Sequence, residues 1–167
     1  MIRNRLYRIH QIVLFIIYIS LMVFFIYKCL ENGVASSESS AKVATISAEV
    51  INKISGKEKV NPSDPSFQSF IRKFIGHYSY FVFLGFISTF FYLSFRKKFK
   101  DWILLIISFS IGIVFAVISE FLLEANTSGR GASWSDVGID VLGFITLSII
   151  IVIIYYIVIF RKKKVNE

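Results

Sequence analysis

Three ionisable residues of this sequence stand inside or at the edge of apolar segments. His77 lies a few residues into one segment, Glu120 lies within a second, and Asp140 lies about one turn into a third. Charged groups in apolar surroundings are costly, so such residues are expected to face one another inside a helix bundle and to serve a function. A histidine beside carboxylates can exchange protons near neutral pH, and carboxylates can orient the cations that bind an anionic group.

Further polar residues flank these positions. Arg130 lies in the flexible turn Ser128-Gly129-Arg130-Gly131, so its guanidinium is expected to fold back over the acidic helix ends and to bond a carboxylate in bidentate fashion. Asp136 begins the last apolar segment and also suits the N-terminal cap of a helix. Lys73 precedes His77 by one helical turn. The candidate binding residues are therefore Lys73, His77, Glu120, Arg130, Asp136 and Asp140.

A second glutamate, Glu124, follows Glu120 by four residues and therefore shares its helix face. Because Glu124 stands at the edge of a loop, an ordinary structural role is the simpler interpretation for it. His77, Glu120 and Asp140 show none of the spacings that are typical of a metal motif. The sequence therefore predicts neither a metal site nor a cofactor.

Transmembrane helices are the elements that must position these residues. The chain has 167 residues, of which 55% are hydrophobic and only 18% are charged, which is too apolar for a soluble domain of this size. A bilayer core takes about 20 apolar residues per helix, and such runs recur at residues 9–29, 74–95, 102–123 and 137–160. The sequence predicts an all-α membrane protein, a four-transmembrane-helix bundle that forms a single domain over residues 1–167.

The first loop, residues 30–73, is long and carries a helical pattern of its own. Residues 36–56 begin with serines and continue with apolar residues at helical spacing, which predicts a short amphipathic helix that ends at Gly56. That helix is expected either to lie on the outer leaflet or to cover the tops of the transmembrane helices. Residues 57–67, which hold both prolines, are predicted to form a loop.

Basic residues predict the orientation of the helices, because Lys and Arg resist translocation. Eleven of them fall before the first helix, between the second and third, and after the fourth. Both termini are therefore expected in the cytoplasm, with the candidate binding residues at the outer helix ends. The first helix is expected to remain as an uncleaved anchor, since its apolar run exceeds that of a signal peptide. The net charge of +8 favours membrane lipids, and not nucleic acid, as partners.

Two blocks of the sequence resemble the VanZ-like family, whose founding member accompanies glycopeptide-resistance clusters in Gram-positive bacteria. Residues 72–85, RKFIGHYSYFVFLG, are similar to the family's run of a basic residue, a small residue, a histidine and aromatic residues that ends in Leu-Gly. Residues 118–143 are similar to its acidic helix end, its Pro-Gly-Arg turn and its Asp-x-x-x-Asn/Asp-x-x-Gly entry to the last helix. Ser128 stands at the usual proline, Phe81 at the motif tyrosine, and Glu124 at the usual glutamine, with Glu120 one position early.

The resemblance implies a bacterial cell membrane protein that is linked to lowered susceptibility to teicoplanin-type lipoglycopeptides, without implying a catalytic residue. The leading hypothesis is that the candidate residues bind the headgroup of a phospholipid or of a lipid-linked cell-wall precursor at the outer leaflet. A lipoglycopeptide is a further candidate partner. Lys73 and Arg130 would then capture the anion. One alternative is an intramembrane enzyme in which His77 or Glu120 is a general base against a lipid ester or phosphate. Another is a structural or partner-binding bundle.

Overall fold

A computed structural model describes the backbone of residues 2–165 and the side chains of residues 5–158. Arg3 and the basic residues at 161–164, which the orientation prediction counted, have side chains outside the described residues. All regular elements in the described part are helical. They are α1 (Ile2–Cys29), α2 (Gly33–Ser55), α3 (Pro65–Ile71), a π-helical segment (Arg72–Tyr78), α4 (Ser79–Leu93), α5 (Asp101–Ile118), a second π-helical segment (Ser119–Leu123), a 3-10 turn (Glu124–Asn126) and α6 (Trp134–Val165).

Four helical stretches of the described chain are long and apolar enough to cross a membrane. They cover Arg5–Cys29, Pro65–Leu93, Asp101–Asn126 and Trp134–Val158, with lengths of 25, 29, 26 and 25 residues. Lipid offers no hydrogen-bond partners to a backbone, so a helix that satisfies its own amides is the expected spanning element. The predicted all-α bundle with four transmembrane helices is confirmed.

The second spanning stretch starts earlier than predicted. It begins at Pro65, in place of residue 74, and so takes in the end of the segment that was predicted to be a loop. The Asp64 carboxylate caps this start by accepting from the Ser66 N–H at 2.9 Å. Pro65 occupies the first turn, where its missing N–H costs no hydrogen bond. This local start signal, Asp-Pro-Ser, outweighs the polar composition of the segment.

Helix α4 lies at the centre of the bundle and packs against α1, α5 and α6. Small residues permit this close approach, as expected of Gly85 and Gly112 in membrane helices. A Cβ on Gly85 would collide with the Phe144 carbonyl, and a Cβ on Gly112 would lie 2.7 Å from the Phe144 ring. The hydroxyls of Ser88 and Ser108 are hydrogen bonded at 2.8 Å between α4 and α5. The helices are therefore closely packed just below the candidate site.

The predicted amphipathic helix is α2, and Gly56 ends it with a left-handed backbone at φ 64°. Asn32 caps its start by accepting from the Ala35 N–H at 2.9 Å. Its buried residues are the small Ala44 and Ala48, whereas its valines and isoleucines are exposed, among them Ile54 at 82%. An exposed apolar face of this kind suits a helix lying in a membrane interface better than one covering the bundle.

Candidate functional site

Two π-helical segments carry the central residues of the site. In each, a backbone N–H donates to the carbonyl five residues back: Ser79 to Phe74 in the first, and Glu124 to Ser119 in the second. The first segment presents His77, and the second presents Glu120. Such wider turns are rare and are found frequently at functional sites. The first segment packs against α6 and the second against α1. Both lie at one end of the bundle, which we call the polar end.

His77 and Asp140 form a buried pair between the first π-helical segment and α6. The His77 Nδ1 atom lies 3.2 Å from Asp140 Oδ1, and Asp140 is fully buried. An ionised Asp140 accepts a hydrogen bond from the Nδ1–H group, which leaves the lone pair on Nε2. That second nitrogen faces Glu124, whose Oε1 atom is 3.9 Å away. Asp140 therefore fixes the orientation of the ring and the tautomer that it presents.

Glu124 and Arg130 form a buried ion pair at the polar end. Arg130 Nη2 lies 2.6 Å from Glu124 Oε1, and both side chains are buried. Arg130 Nη1 donates to the Lys28 carbonyl at 3.0 Å, at the C-terminus of α1, where helix carbonyls lack partners of their own. The bidentate bond predicted for Arg130 is wrong, because its guanidinium is divided between one carboxylate oxygen and the end of α1.

The loop that carries Arg130 is fastened to the junction of α1 and α2. The Gly33 N–H donates to the Ser128 carbonyl at 2.9 Å, and the Thr127 hydroxyl donates to the Cys29 carbonyl at 3.1 Å. Gly129 adopts φ +75°, a conformation that L side chains rarely take. A Cβ on Gly33 would collide with the Gly129 carbonyl. This contact explains why both positions are glycine and how Arg130 is held in place.

Lys73 and Asp136 form a second ion pair, at the rim of the polar end. Lys73 Nζ lies 2.7 Å from Asp136 Oδ1 and donates to the Ser135 hydroxyl at 3.2 Å. Asp136 lies in the first turn of α6, where a carboxylate is also favoured by the helix dipole. Lys73 thus joins the start of the second spanning stretch to the start of the fourth.

Glu120 is 1% exposed and has one of its two carboxylate oxygens engaged. Its Oε1 atom accepts from the Ser133 N–H at 2.7 Å, just before α6 begins. Its Oε2 atom is buried and has no hydrogen-bond partner among the residues that the structure describes. A carboxylate with a free buried oxygen is costly unless a proton or a cation satisfies it.

All six candidate residues lie at the polar end, together with Glu124, which the sequence had placed in an ordinary loop-edge role. Three potential ligand atoms, one each from His77, Glu120 and Glu124, lie within 4.8 Å of one another. The shared helix face of the two glutamates was a signal for this arrangement, but it was outweighed by the position of Glu124 at the loop. We call the whole set the polar cluster: Lys73, His77, Glu120, Glu124, Arg130, Asp136 and Asp140.

A cavity of about 480 Å³ lies beside the polar cluster. Its wall is partly apolar and is formed by Phe24 of α1, Ile75 of the first π-helical segment and Phe83 of α4. Ser36 and Ser40 of α2 line it as well, so hydroxyl groups and aromatic rings border the same space. Most ligand sites combine a largely apolar wall with a few polar groups in this way.

The cavity reaches the charged residues of the polar cluster. His77, Glu124 and Arg130 line it, whereas Lys73 does not. Arg72 lines it too and is exposed, with no ion pair to any side chain that the structure describes. Arg72, which the candidate binding residues did not include, is thus a cation at the cavity that has no ion pair among the described side chains.

Comparison of the chain with protein-family models, with curated proteins and with solved structures finds no match. The resemblance to the VanZ-like family therefore continues to rest on its two motif blocks.

Proposed function

We propose that this protein binds an anionic lipid of the bacterial cell envelope, either a phospholipid or a lipid-linked cell-wall precursor. The observation that supports this most is the cavity, which borders apolar rings and the charges of the polar cluster at once. A lipid chain would lie against Phe24 and Phe83, and the headgroup would meet Arg72 and the α2 serines. A soluble polar ligand would gain nothing from the apolar wall.

The charges of the cavity favour a phosphate-bearing headgroup. Arg72 has no competing carboxylate among the described side chains, so its guanidinium fork can bond two phosphate oxygens. Lys73, the expected partner of the anion, is paired with Asp136 and is turned to a structural role. Arg130 would be the weaker of the two contacts to the phosphate, because its guanidinium is already bound to Glu124.

In the proposed orientation, the polar end lies at the outer leaflet of the bacterial plasma membrane and both termini lie in the cytoplasm. The opposite end of the bundle carries a basic block between α4 and α5, namely Arg96, Lys97, Lys98 and Lys100. Basic residues of this kind are enriched on the cytoplasmic side. In this orientation α2, with its exposed valines and isoleucines, lies on the outer surface and adds a polar wall to the cavity.

Arg72→Gln is expected to weaken the binding of phosphatidylglycerol about fivefold. One basic residue near an anionic surface contributes about 1 kcal/mol, which is the source of that factor. The measurement is a titration of the purified protein in neutral detergent with phosphatidylglycerol, a polyprenyl phosphate and phosphatidylcholine. A lipid-linked precursor as the natural ligand predicts tighter binding of the polyprenyl phosphate, and a phospholipid predicts the reverse.

Lys53→Gln is the matched control, because Lys53 is an exposed cation on α2 that does not line the cavity. It should bind phosphatidylglycerol as the wild type does. Equal losses for Arg72→Gln and Lys53→Gln would show that net charge alone attracts the lipid. Equal affinity of the wild type for phosphatidylglycerol and phosphatidylcholine would refute headgroup recognition.

We propose further that the protein acts as VanZ-like proteins do and lowers susceptibility to teicoplanin-type lipoglycopeptides. A lipid-binding cavity suits an effect on teicoplanin that does not extend to vancomycin, because teicoplanin carries an acyl chain and vancomycin does not. A strain that lacks the protein should become more susceptible to teicoplanin, with vancomycin susceptibility unchanged. Complementation with Arg72→Gln should restore less resistance than complementation with Lys53→Gln. An equal change in susceptibility to both antibiotics would show that resistance does not depend on the lipid site.

A lipid-modifying enzyme is the second candidate, favoured by the buried pairing of Asp140 with His77 Nδ1 at 3.2 Å. This arrangement orients a histidine whose other nitrogen can serve as a general base, and His77 lines the cavity. Turnover of the bound phosphatidylglycerol or polyprenyl phosphate by the wild type, and its loss in His77→Gln, would favour this candidate. Binding without turnover favours the first.

A further inference from the structure

We propose that His77, Glu120 and Glu124 form a binding site for a divalent cation of the zinc type. A ring nitrogen of His77 and one oxygen of each glutamate lie within 4.8 Å of one another. Bonds from zinc to nitrogen or oxygen of about 2.0 to 2.2 Å place neighbouring ligand atoms about 3.4 Å apart in a tetrahedron. Small side-chain rotations therefore suffice to close the site around a metal ion. This inference does not depend on lipid binding.

The lone pairs that converge here need a positive charge between them. With its Nδ1–H donating a hydrogen bond to Asp140, His77 directs the lone pair of Nε2 toward Glu124, whose Oε1 atom is 3.9 Å away. That separation is too long for a direct hydrogen bond. It is a separation that two ligands of one metal ion can have, since the ion lies between them.

The charges of the polar cluster support the same conclusion. Its four carboxylates are buried, while Lys73 and Arg130 supply two positive charges. With all four carboxylates ionised, two negative charges would remain, and a buried charge is very costly unless a proton or a cation neutralises it. One divalent cation would neutralise them. The carboxylates in question are Glu120, Glu124, Asp136 and Asp140.

All three ligands already carry the supporting contacts that metal ligands have in proteins. A ligating histidine almost always bonds a carboxylate or carbonyl through its other nitrogen, as His77 does with Asp140, and ligating carboxylates are hydrogen bonded in turn. Arg130 holds Glu124 at 2.6 Å, and the Ser133 N–H holds Glu120 at 2.7 Å. The free, buried Oε2 atom of Glu120 is then available for the metal.

The donor set indicates which metals fit. One imidazole nitrogen with two carboxylate oxygens suits zinc and similar transition metals better than magnesium or calcium, which prefer oxygen ligands alone. Three protein ligands leave a fourth position, as in zinc sites that bind a water or a substrate. His77 and Glu124 line the cavity, so that position is within reach of a ligand there.

The experiment is a zinc titration of the purified wild-type protein in neutral detergent, after treatment with a chelator. We expect about one zinc ion per chain after gel filtration, measured by elemental mass spectrometry, and a higher thermal unfolding midpoint with zinc than with chelator. Asp140→Asn should weaken zinc binding about 10- to 100-fold, as for other residues that orient a ligand. Glu120→Gln and His77→Gln should weaken it at least as much.

The chain offers matched controls, since it has two histidines and exposed glutamates. His10→Gln, on α1, and Glu38→Gln, on α2, alter exposed residues and should bind zinc as the wild type does. If a ligand variant does not elute as a single folded species, the absorption spectrum of the wild type with added Co²⁺ tests the site instead. Visible absorption bands of low-coordinate Co²⁺, bleached by zinc, support the site. A wild type without stoichiometric zinc, or His10→Gln losing zinc while His77→Gln keeps it, overturns the proposal.

Discussion

Arg130→Met is expected to destabilise the folded bundle by about 3 to 5 kcal/mol, the usual effect of removing one partner of a buried ion pair. The substitution leaves the Glu124 carboxylate buried without its cation and leaves the Lys28 carbonyl at the end of α1 with only the Glu31 N–H as a donor. Methionine keeps much of the side-chain volume, so the loss reports on charge and hydrogen bonding. The free energy of unfolding in mixed micelles of mild and denaturing detergent measures it.

Glu124→Gln combined with Arg130→Met should recover part of that loss, because the double variant no longer buries an unpaired charge. A coupling of about 0.5 to 3 kcal/mol between the two sites is expected. Arg72→Met is the matched control, since Arg72 is exposed and should change the free energy of unfolding by no more than about 0.5 kcal/mol. Equal free energies of unfolding for Arg130→Met and Arg72→Met would contradict the claim that the Arg130–Glu124 ion pair stabilises the bundle.

The four spanning helices could be predicted because lipid leaves the backbone little choice. The ends of these helices were harder to predict, since the apolar composition stops at one residue and the helical hydrogen bonds continue past it. The third span reaches Asn126 because a π-helical segment and a 3-10 turn continue it past Ile118. No residue pattern announces a π-helical turn, so the rotation that it gives to Glu120 and Glu124 could be found only from the structure.

Placing the candidate residues at one end of the bundle required only antiparallel helices and a count of residues. Partner choice required more. Asp140 could have been assigned to Arg130, but it lies one turn deeper than Asp136 and meets His77. Arg72 and Lys73 are neighbours and point to different faces of the helix, so that Lys73 meets Asp136 and Arg72 lines the cavity.

The amphipathic helix shows a similar limit. Its helical spacing and its end at Gly56 could be read from the sequence, yet two positions relative to the bundle fitted the same pattern. The small Ala44 and Ala48 turned out to be the buried residues. A pattern of large apolar residues marks a face that avoids water, and that face can be covered by lipid as well as by protein.

Gly76→Trp is the second large effect expected, because it fills the cavity on which the proposed function depends. Gly76 lines the cavity, and nothing lies within 4 Å of the place that a Cβ would take. The indole can therefore enter this space without moving the backbone. Gly138→Trp is the matched control, since Gly138 is exposed, has the same open surroundings and does not line the cavity.

Phosphatidylglycerol binding to these two variants is the most direct test of a lipid site beside the polar cluster. Both proteins should elute as folded species with wild-type helix content. We predict that Gly76→Trp binds phosphatidylglycerol at least about tenfold more weakly than the wild type, a loss of about 1.4 kcal/mol or more, while Gly138→Trp binds it normally. Wild-type affinity in folded Gly76→Trp would show that the lipid binds elsewhere.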